Sequence, residues 1–241
     1  MILTFLGTRG EIRARTRRHG RHTSLEVSYR ARRVMIDCGT DWRGRIGGIH
    51  PHAIVVTHAH PDHVDGLRGG APCAVYATEW AWGRMDAFGI ESRRTVEPRR
   101  PFRIGAITFE AFTVEHSLNA PAVGYRITAG KVAVFYVPDL VYIHERSAAL
   151  EGIDVYIGDG ASMSRPLVRR RGDALIGHAS VRNQIEWCRR EGVPRFIVTH
   201  CGSGIVEGDG RTIRAQLQRW AAERELRAEI AHDGMKIRLT G

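Results

Sequence analysis

Short apolar runs separated by Gly and Pro dominate the hydrophobic pattern along the chain. Runs of four to eight residues bounded by such turn formers are typical of β-strands. The pattern predicts strands at 2–6, 24–29, 33–36, 53–57, 74–77, 107–114, 122–128, 132–137, 154–157, 195–199, 226–230 and 235–239. Ala129-Gly130 lies between two of these runs and predicts a hairpin, with the antiparallel pairing that a hairpin imposes.

Helical periodicity is less frequent. Ser180 can cap a helix through about Arg190, because apolar residues recur there on one face and a glycine follows. The same spacing predicts a second helix around 213–221, and weaker patterns lie at 79–88 and 144–150. Many strands with occasional helices, without a repeat or a low-complexity linker, indicate an α+β fold of sheets covered by helices. We expect one domain across all 241 residues.

The charge balance adds information about the substrate. The formal net charge is +10, and Lys131 and Lys236 are the only lysines, so arginine supplies the other cations. Guanidinium groups match phosphate oxygens in pairs, so one interpretation of this excess is an anionic substrate or nucleic acid. For the charge of the whole chain, the preferred interpretation is a biased composition spread over solvated surfaces. Two clusters stand out, one of Arg13, Arg15, Arg17, Arg18 and Arg21, the other of Arg169, Arg170 and Arg171.

The cellular compartment of the protein is predicted from features that the sequence lacks. Residues 1–6 are too short for the apolar core of a signal peptide, and no apolar stretch approaches the length of a membrane span. The four cysteines are widely scattered and form no Cys-x-x-Cys pair, which favours reduced thiols. These features predict a cytoplasmic protein without a membrane partner.

One short segment carries most of the chemistry. Residues 57–66 read Thr-His-Ala-His-Pro-Asp-His-Val-Asp-Gly and follow the apolar run 53–56. The segment therefore places three imidazoles and a carboxylate in a tight loop after a buried strand. Imidazoles suit zinc, iron or manganese, and a carboxylate adds a harder oxygen ligand. The alternative is a histidine-rich surface loop. The four candidate ligands are His58, His60, Asp62 and His63.

Three further candidates lie downstream at predicted strand ends. His116, Asp139 and His200 are each the first strong metal ligand after an apolar or alternating run. Singly, each such residue is more often a polar residue with ordinary hydrogen bonds than a ligand. Together with the segment 57–66, they predict a metal site with seven protein ligands.

This combination resembles the metallo-β-lactamase superfamily over nearly the whole chain. The resemblance implies an αββα sandwich, in which two mixed β-sheets are flanked by helices. It also implies a place for each ligand. His58, His60 and His116 would hold one metal ion; Asp62, His63 and His200 would hold the other; and Asp139 would bridge the two. Asp37, in Ile-Asp-Cys-Gly at 36–39, resembles the buried aspartate that supports ligands in this family.

The resemblance implies a dinuclear metal-dependent hydrolase. Two divalent ions, zinc first, with manganese or iron as alternatives, would lower the pKa of a shared water to roughly 7. The resulting bridging hydroxide would attack the substrate. Asp62 would be catalytic as well as a ligand, because its carboxylate can accept a hydrogen bond from that hydroxide and orient it.

His178 distinguishes between branches of the superfamily. Gly177-His178 before a helix and then Thr199-His200 resembles the phosphodiesterase branch, which includes ribonuclease Z and the phosphoribosyl cyclic-phosphate phosphodiesterases. There the matching histidine is catalytic, as a general acid that protonates the leaving oxygen. The alternative is a capping or core histidine. Asp159 could orient His178.

A loop before His178 completes the predicted site. If this loop folds over the metals, its arginines could bind the phosphate of a small anionic phosphodiester, or of a nucleic acid used as substrate. The four arginines are Arg165, Arg169, Arg170 and Arg171.

The chain departs from both named subfamilies of that branch. Only 22 residues separate His116 from Asp139, too few for the long tRNA-gripping arm of ribonuclease Z. Residues 9–22 lack the cysteine cluster of the cyclic-phosphate enzymes. A lactonase or another ester or thioester hydrolase remains an alternative with the same ligands. A non-catalytic, basic nucleic-acid-binding protein is a further alternative.

Overall fold

Strand pairing in the computed structural model, which describes residues 1–240, builds two large mixed sheets. The first sheet has seven strands in the spatial order β17-β1-β2-β3-β4-β5-β6, parallel from β3 to β6 and antiparallel elsewhere. Its members are β1 (Ile2–Gly7), β2 (Ser24–Tyr29), β3 (Arg32–Ile36), β4 (Ala53–Val55), β5 (Ala74–Thr78), β6 (Arg93–Val96) and β17 (Lys236–Arg238).

The second sheet follows the order β11-β8-β9-β10-β12-β15-β16, with β7 paired to β8. Strands β10, β12, β15 and β16 run parallel, and β8 to β10 form an antiparallel meander. Its members are β7 (Phe102–Ile104), β8 (Ile107–Glu115), β9 (Ala122–Ala129), β10 (Val132–Val137), β11 (Tyr142–Ile143), β12 (Val155–Asp159), β15 (Arg195–Thr199) and β16 (Arg227–Ile230).

Short helices cover the outer faces of both sheets. Three apolar clusters mark the layers: one lies between the sheets, one between the first sheet and α2, and one between the second sheet and α3, α4 and α6. The predicted αββα sandwich of the α+β class is therefore confirmed. The helices are α1 (Pro61–Val64), α2 (Glu79–Arg84), α3 (Arg146–Leu150), α4 (Val181–Arg190), α5 (Ser203–Val206) and α6 (Gly210–Ala222).

Two helices match their prediction closely. The Ser180 hydroxyl accepts a hydrogen bond from the Asn183 N–H, so Ser180 caps α4 as expected. Helix α6 extends the predicted second helix by one turn, with Asp209 as its cap. The hairpin around Gly130 also forms, because Gly130 takes the positive φ of 64° that its turn requires. No helix within residues 1–240 has the length and apolar character needed to cross a membrane.

The segment before His178 differs from its prediction. It is a two-stranded hairpin, β13 (Leu167–Arg171) and β14 (Ala174–His178), joined by the turn Gly172-Asp173. The expected loop was wrong because strands were recognised by apolar runs, whereas β13 is arginine-rich and mostly exposed. The hairpin stands apart from both large sheets as a separate two-stranded sheet.

Candidate metal centre

The centre lies where strands of the second sheet end. Because β10, β12 and β15 are parallel neighbours, their carboxyl ends meet at one edge of the sheet. Asp139 lies two residues beyond the end of β10, Asp159 ends β12, and His200 directly follows β15. His116 directly follows β8, which runs in the same direction as β10 two strands away. Sheet topology therefore collects side chains that are far apart in sequence.

The first sheet contributes the segment 57–66. His58 and His60 lie in the loop after β4, and Asp62 and His63 lie on α1. Pro61 occupies the first turn of α1, where its missing N–H needs no partner. Gly39 packs on the backbone of Asp62 so closely that a Cβ would lie 1.8 Å from the Asp62 carbonyl oxygen. That contact fixes α1 against the loop after β3.

Three imidazoles converge in the first half of the centre. The His58 Nε2 and His60 Nδ1 atoms are 3.0 Å apart, and the His116 Nε2 and His60 Nδ1 atoms are 3.2 Å apart. The Asp139 Oδ2 atom lies 3.3 Å from His58 Nε2. All four ligand atoms lie within 4.8 Å of one another.

Asp37 and Thr57 determine which nitrogen of His58 carries the proton. The Thr57 hydroxyl donates to Asp37 Oδ2 at 2.8 Å, so its oxygen is free to accept from His58 Nδ1 at 3.1 Å. The Nε2 atom of His58 is then unprotonated and faces His60. Asp37 also accepts from His63 Nδ1 at 2.9 Å, which leaves His63 Nε2 as the inward atom. One buried carboxylate therefore orients two of the candidate ligands.

Gly177 orients His116 from the hairpin. The His116 Nδ1–H donates to the Gly177 carbonyl oxygen at 2.9 Å, and the Gly177 N–H donates to the His116 carbonyl oxygen, also at 2.9 Å. Gly177 has φ of 122°, and a Cβ there would lie 1.8 Å from the Leu167 carbonyl oxygen. Only glycine fits this position, and it joins the base of the hairpin to the centre.

Carboxylates are more prominent in the second half. The Asp62 Oδ2 atom lies 3.3 Å from His63 Nε2 and 3.2 Å from His200 Nε2. Asp139 Oδ2 lies 2.9 Å from His63 Nε2, and Asp139 Oδ1 lies 2.8 Å from His200 Nδ1. These four residues also place a ligand atom each within 4.8 Å of the others. Asp139 therefore belongs to both halves.

The histidines in the two halves of the centre differ in their pKa values. Burial, together with the charges of His63 and His116, lowers the pKa of His58 well below its usual value. Burial also lowers the pKa of His60 to about 4. Burial would lower the pKa of His200 as well, but the carboxylate of Asp139, followed by that of Asp62, raises it to about 10. The first half thus favours neutral imidazoles, and the second favours imidazolium–carboxylate contacts.

His178 lies beside the centre and is held by Asp159. Its Nδ1 atom is 2.8 Å from Asp159 Oδ2, and its ring stacks on His200 with the centroids 5.7 Å apart. Burial alone would lower the pKa of His178, but the charge of Asp159 and its hydrogen bond raise the pKa above its usual value. Because Nδ1–H donates to Asp159, Nε2 is the ring nitrogen left for a substrate.

Two cavities meet at the centre. One has a volume of about 900 Å³ and reaches Glu11, Met163 and Ile213. The other has a volume of about 830 Å³ and lies against the hairpin, with Arg169 and Arg171 in its wall. Both cavities share His60, His116, Leu167 and His178 as lining residues.

The structure brings all seven predicted ligands together, with His178 next to them. Of the four predicted phosphate-binding arginines, Arg169 and Arg171 line a cavity at the centre, whereas Arg165 and Arg170 line neither cavity. The sequence reasoning missed Thr57, whose hydroxyl links Asp37 to His58, and Gly177, whose role depends on backbone geometry. Their places directly before His58 and His178 were the available signal. It also missed Glu11, which lines the larger cavity from a segment without regular structure.

Comparison with known families identifies the domain. The model of the beta-lactamase superfamily domain matches residues 32–201, more than half of the chain. The chain belongs to this superfamily. The resemblance predicted from the ligand motif is therefore confirmed.

Similar proteins cover nearly the whole chain. Ribonuclease Z of Methanopyrus kandleri is 26% identical over 285 aligned positions, which cover 99% of this chain and 98% of that protein. The metallo-beta-lactamase fold protein YhfI from Bacillus subtilis has a TM-score of 0.76 at 15% identity, covering 98% of each chain. A diphosphatase from the PhnP family has a TM-score of 0.71 at 21% identity, covering 98% of this chain and 96% of that one. The superfamily fold thus extends over the full chain.

Proposed function

We propose that this superfamily member is a dinuclear metal-dependent phosphodiesterase. Three sets of candidate ligand atoms share Asp139, each within 4.8 Å of one another, and the third adds Asp159 and His178 to Asp139 and His200. The observation that carries the proposal is that two of these sets together contain the seven predicted ligands. The buried atoms His200 Nδ1 and Asp139 Oδ1 lie only 2.8 Å apart, yet neither these atoms nor His63 Nε2 has a partner among the described residues in hydrogen-bonding geometry. Buried polar atoms without a partner are destabilising, and bound cations would satisfy them.

The donor set fits two divalent ions. His58, His60 and His116 would hold one ion, the group Asp62, His63 and His200 the other, and Asp139 both. Imidazole nitrogens with carboxylate oxygens suit zinc first, and manganese or iron as well. When bound, the pair of ions would supply a hydroxide at neutral pH and offset negative charge on phosphate oxygens.

The protein's own groups then act on the water and on the leaving group. The Asp62 carboxylate can accept a hydrogen bond from the attacking water and direct its lone pair at the phosphorus atom. Asp159 holds the His178 ring through Nδ1, so a proton on Nε2 can pass to the leaving oxygen. The raised pKa of His178 favours the protonated form that a general acid needs.

The space around the centre supports a phosphodiester. Such a substrate carries two ester substituents on one phosphorus atom, and two separate cavities meet at the candidate ligands. The relatives support the same chemistry, since one is named a ribonuclease and another a diphosphatase. The interval 117–138 contains only β9, β10 and short connections, so the long arm of ribonuclease Z is absent.

A metal count combined with a substrate comparison tests the proposal. We expect about two ions per chain, and hydrolysis of bis(p-nitrophenyl) phosphate that a chelator removes and added zinc or manganese restores. A p-nitrophenyl phosphate monoester, a lactone and a thioester are the comparison substrates. Faster turnover of the lactone or thioester would replace the proposal with that class of ester hydrolase. Metal-free protein that binds RNA with steep salt dependence, and hydrolyses none of these, would show a binding protein instead.

A further inference from the structure

The hairpin β13–β14 presents one face to the cavity beside the centre. In its register Leu167 pairs with His178, Arg169 with Ile176, and Arg171 with Ala174. Residues that pair directly lie on the same face, and alternate residues along a strand share that face. Arg169 and Arg171 therefore lie on the His178 face, and Arg170 lies on the opposite face.

Neither Arg169 nor Arg171 forms an ion pair with another described residue. Both side chains are exposed. Exposed guanidinium groups beside a cavity are free to bind external anions in paired hydrogen bonds. This differs from the arginines of α4, Arg189 and Arg190, which are both paired with Glu186.

Arg169 and Arg171 lie at regular intervals along β13, counted from Leu167, the residue that pairs with His178. A strand rises about 3.3 Å per residue, so Arg169 lies about 7 Å and Arg171 about 13 Å along β13 from Leu167, the residue opposite His178. This step is comparable to the separation of successive phosphates along an extended nucleic acid strand. The cavity lies between the hairpin and Ser117–Asn119, so an extended strand that follows β13 would run through it.

The two cavities differ in charge. No arginine or lysine lines the cavity that contains Glu11, so a further phosphate would meet a carboxylate there. Two arginines line the cavity beside the hairpin. A substrate whose two ester arms differ in charge would therefore bind in one direction, with the arm that carries more phosphates on the hairpin.

Building on the proposed function, we infer that the substrate is a single-stranded nucleic acid bound by its end. The terminal ester group occupies the cavity with Glu11, and the scissile phosphate lies at the centre. Arg169 binds the second phosphate and Arg171 the third. The residues that line the cavity beside the hairpin include no Phe, Tyr or Trp, and its three imidazoles belong to the centre, so binding depends on phosphates and little on base identity.

A length series of chromogenic oligonucleotides tests this arrangement on the metal-loaded protein. The substrates are p-nitrophenyl phosphate esters of mono-, di-, tri- and tetrathymidylate, made with the ester at the 5′ end and, separately, at the 3′ end. In at least one series we expect kcat/KM to rise about two- to fivefold at the second phosphate, and again at the third. No further rise is expected at the fourth.

Arginine variants assign each step to a residue. Arg169→Gln should remove the rise at the second phosphate, and Arg171→Gln only the rise at the third, each measured relative to that variant's own rate on the monothymidylate ester. Arg170→Gln is the matched control and should keep both steps. Each step should shrink with salt, by a log–log slope of about 0.7 for each phosphate bound.

Other results would overturn the inference. A flat length series at both ends would do so, as would length steps that Arg170→Gln removes as fully as Arg169→Gln does. In that event continued hydrolysis of bis(p-nitrophenyl) phosphate would leave the phosphodiesterase proposal intact. Failure to hydrolyse any phosphodiester would instead remove the proposed function, and the inference with it.

Discussion

The buried centre and the exposed hairpin beside it hold their side chains in opposite ways. At the centre, the inward nitrogens of His58, His63 and His116 are each fixed by a hydrogen bond on the other side of the ring. On the hairpin, Arg169 and Arg171 have no partner among the described residues and retain their rotamer freedom. Groups that act on the reacting atoms need fixed positions, whereas groups that bind a flexible chain can adapt.

The strongest test of this contrast removes the shared carboxylate. Asp139 contacts both ligand sets, so Asp139→Ala should lose at least one ion per chain. Activity should fall by more than about 100-fold, the upper end for loss of an outer partner. Elemental analysis and phosphodiester turnover measure both effects. Asp86→Ala, at an exposed aspartate, is the control, and full metal occupancy in Asp139→Ala would contradict the bridging position.

The next test separates chemistry from metal binding. His178→Ala should keep both ions, because the ring is held by Asp159 and is not one of the seven predicted ligands. Turnover should fall by roughly two orders of magnitude for poor leaving groups and much less for p-nitrophenolate, which needs no proton. A series of aryl and alkyl phosphodiesters measures this, with the exposed His144→Ala as control. Equal losses across the series would rule out the acid role.

The sequence identified both of these residues, but on different grounds: His178 through the resemblance to the phosphodiesterase branch, and Asp139, like His200, for a physical reason. Asp139 and His200 each follow a run of buried apolar residues, and parallel strands bring their ends together at one edge. The hairpin gives a weaker signal, since its apolar runs are only two and three residues long and neither strand is fully buried. Thr57 and Gly177 were missed because a hydroxyl relay and a positive φ depend on neighbours that the sequence does not place.

A third test removes hydrogen bonds that orient the histidines and leaves the seven candidate ligands unchanged. Asp37→Asn should lower metal affinity or turnover by 10- to 100-fold, because Asp37 orients His63 directly and His58 through Thr57. Competition with a chelator measures the affinity. Asp154→Asn is the matched control, since this carboxylate accepts a backbone N–H far from the centre. Unchanged affinity in Asp37→Asn would show that burial alone holds the two rings.

The smallest effect is expected where the two regions join. Gly177→Ala should strain the hairpin base and shift His116, lowering turnover about tenfold. The melting temperature should fall by only a few degrees, about 2–4 °C per kcal/mol for a chain of this size. Gly172→Ala is the control, because its φ is also positive, at 60°, but an added Cβ meets no atom within 4 Å. Equal turnover losses in the two variants would show that Gly177 does not position His116.

The Gly177 contact also bears on how this enzyme could diversify. The base of the hairpin is anchored to His116, while the turn Gly172-Asp173 at its other end is exposed and unobstructed. Insertions or altered charges at the tip would leave the anchored end in place. Evolution or protein engineering could therefore change the turn Gly172-Asp173 to alter which substrates bind, while the reaction at the centre stays the same.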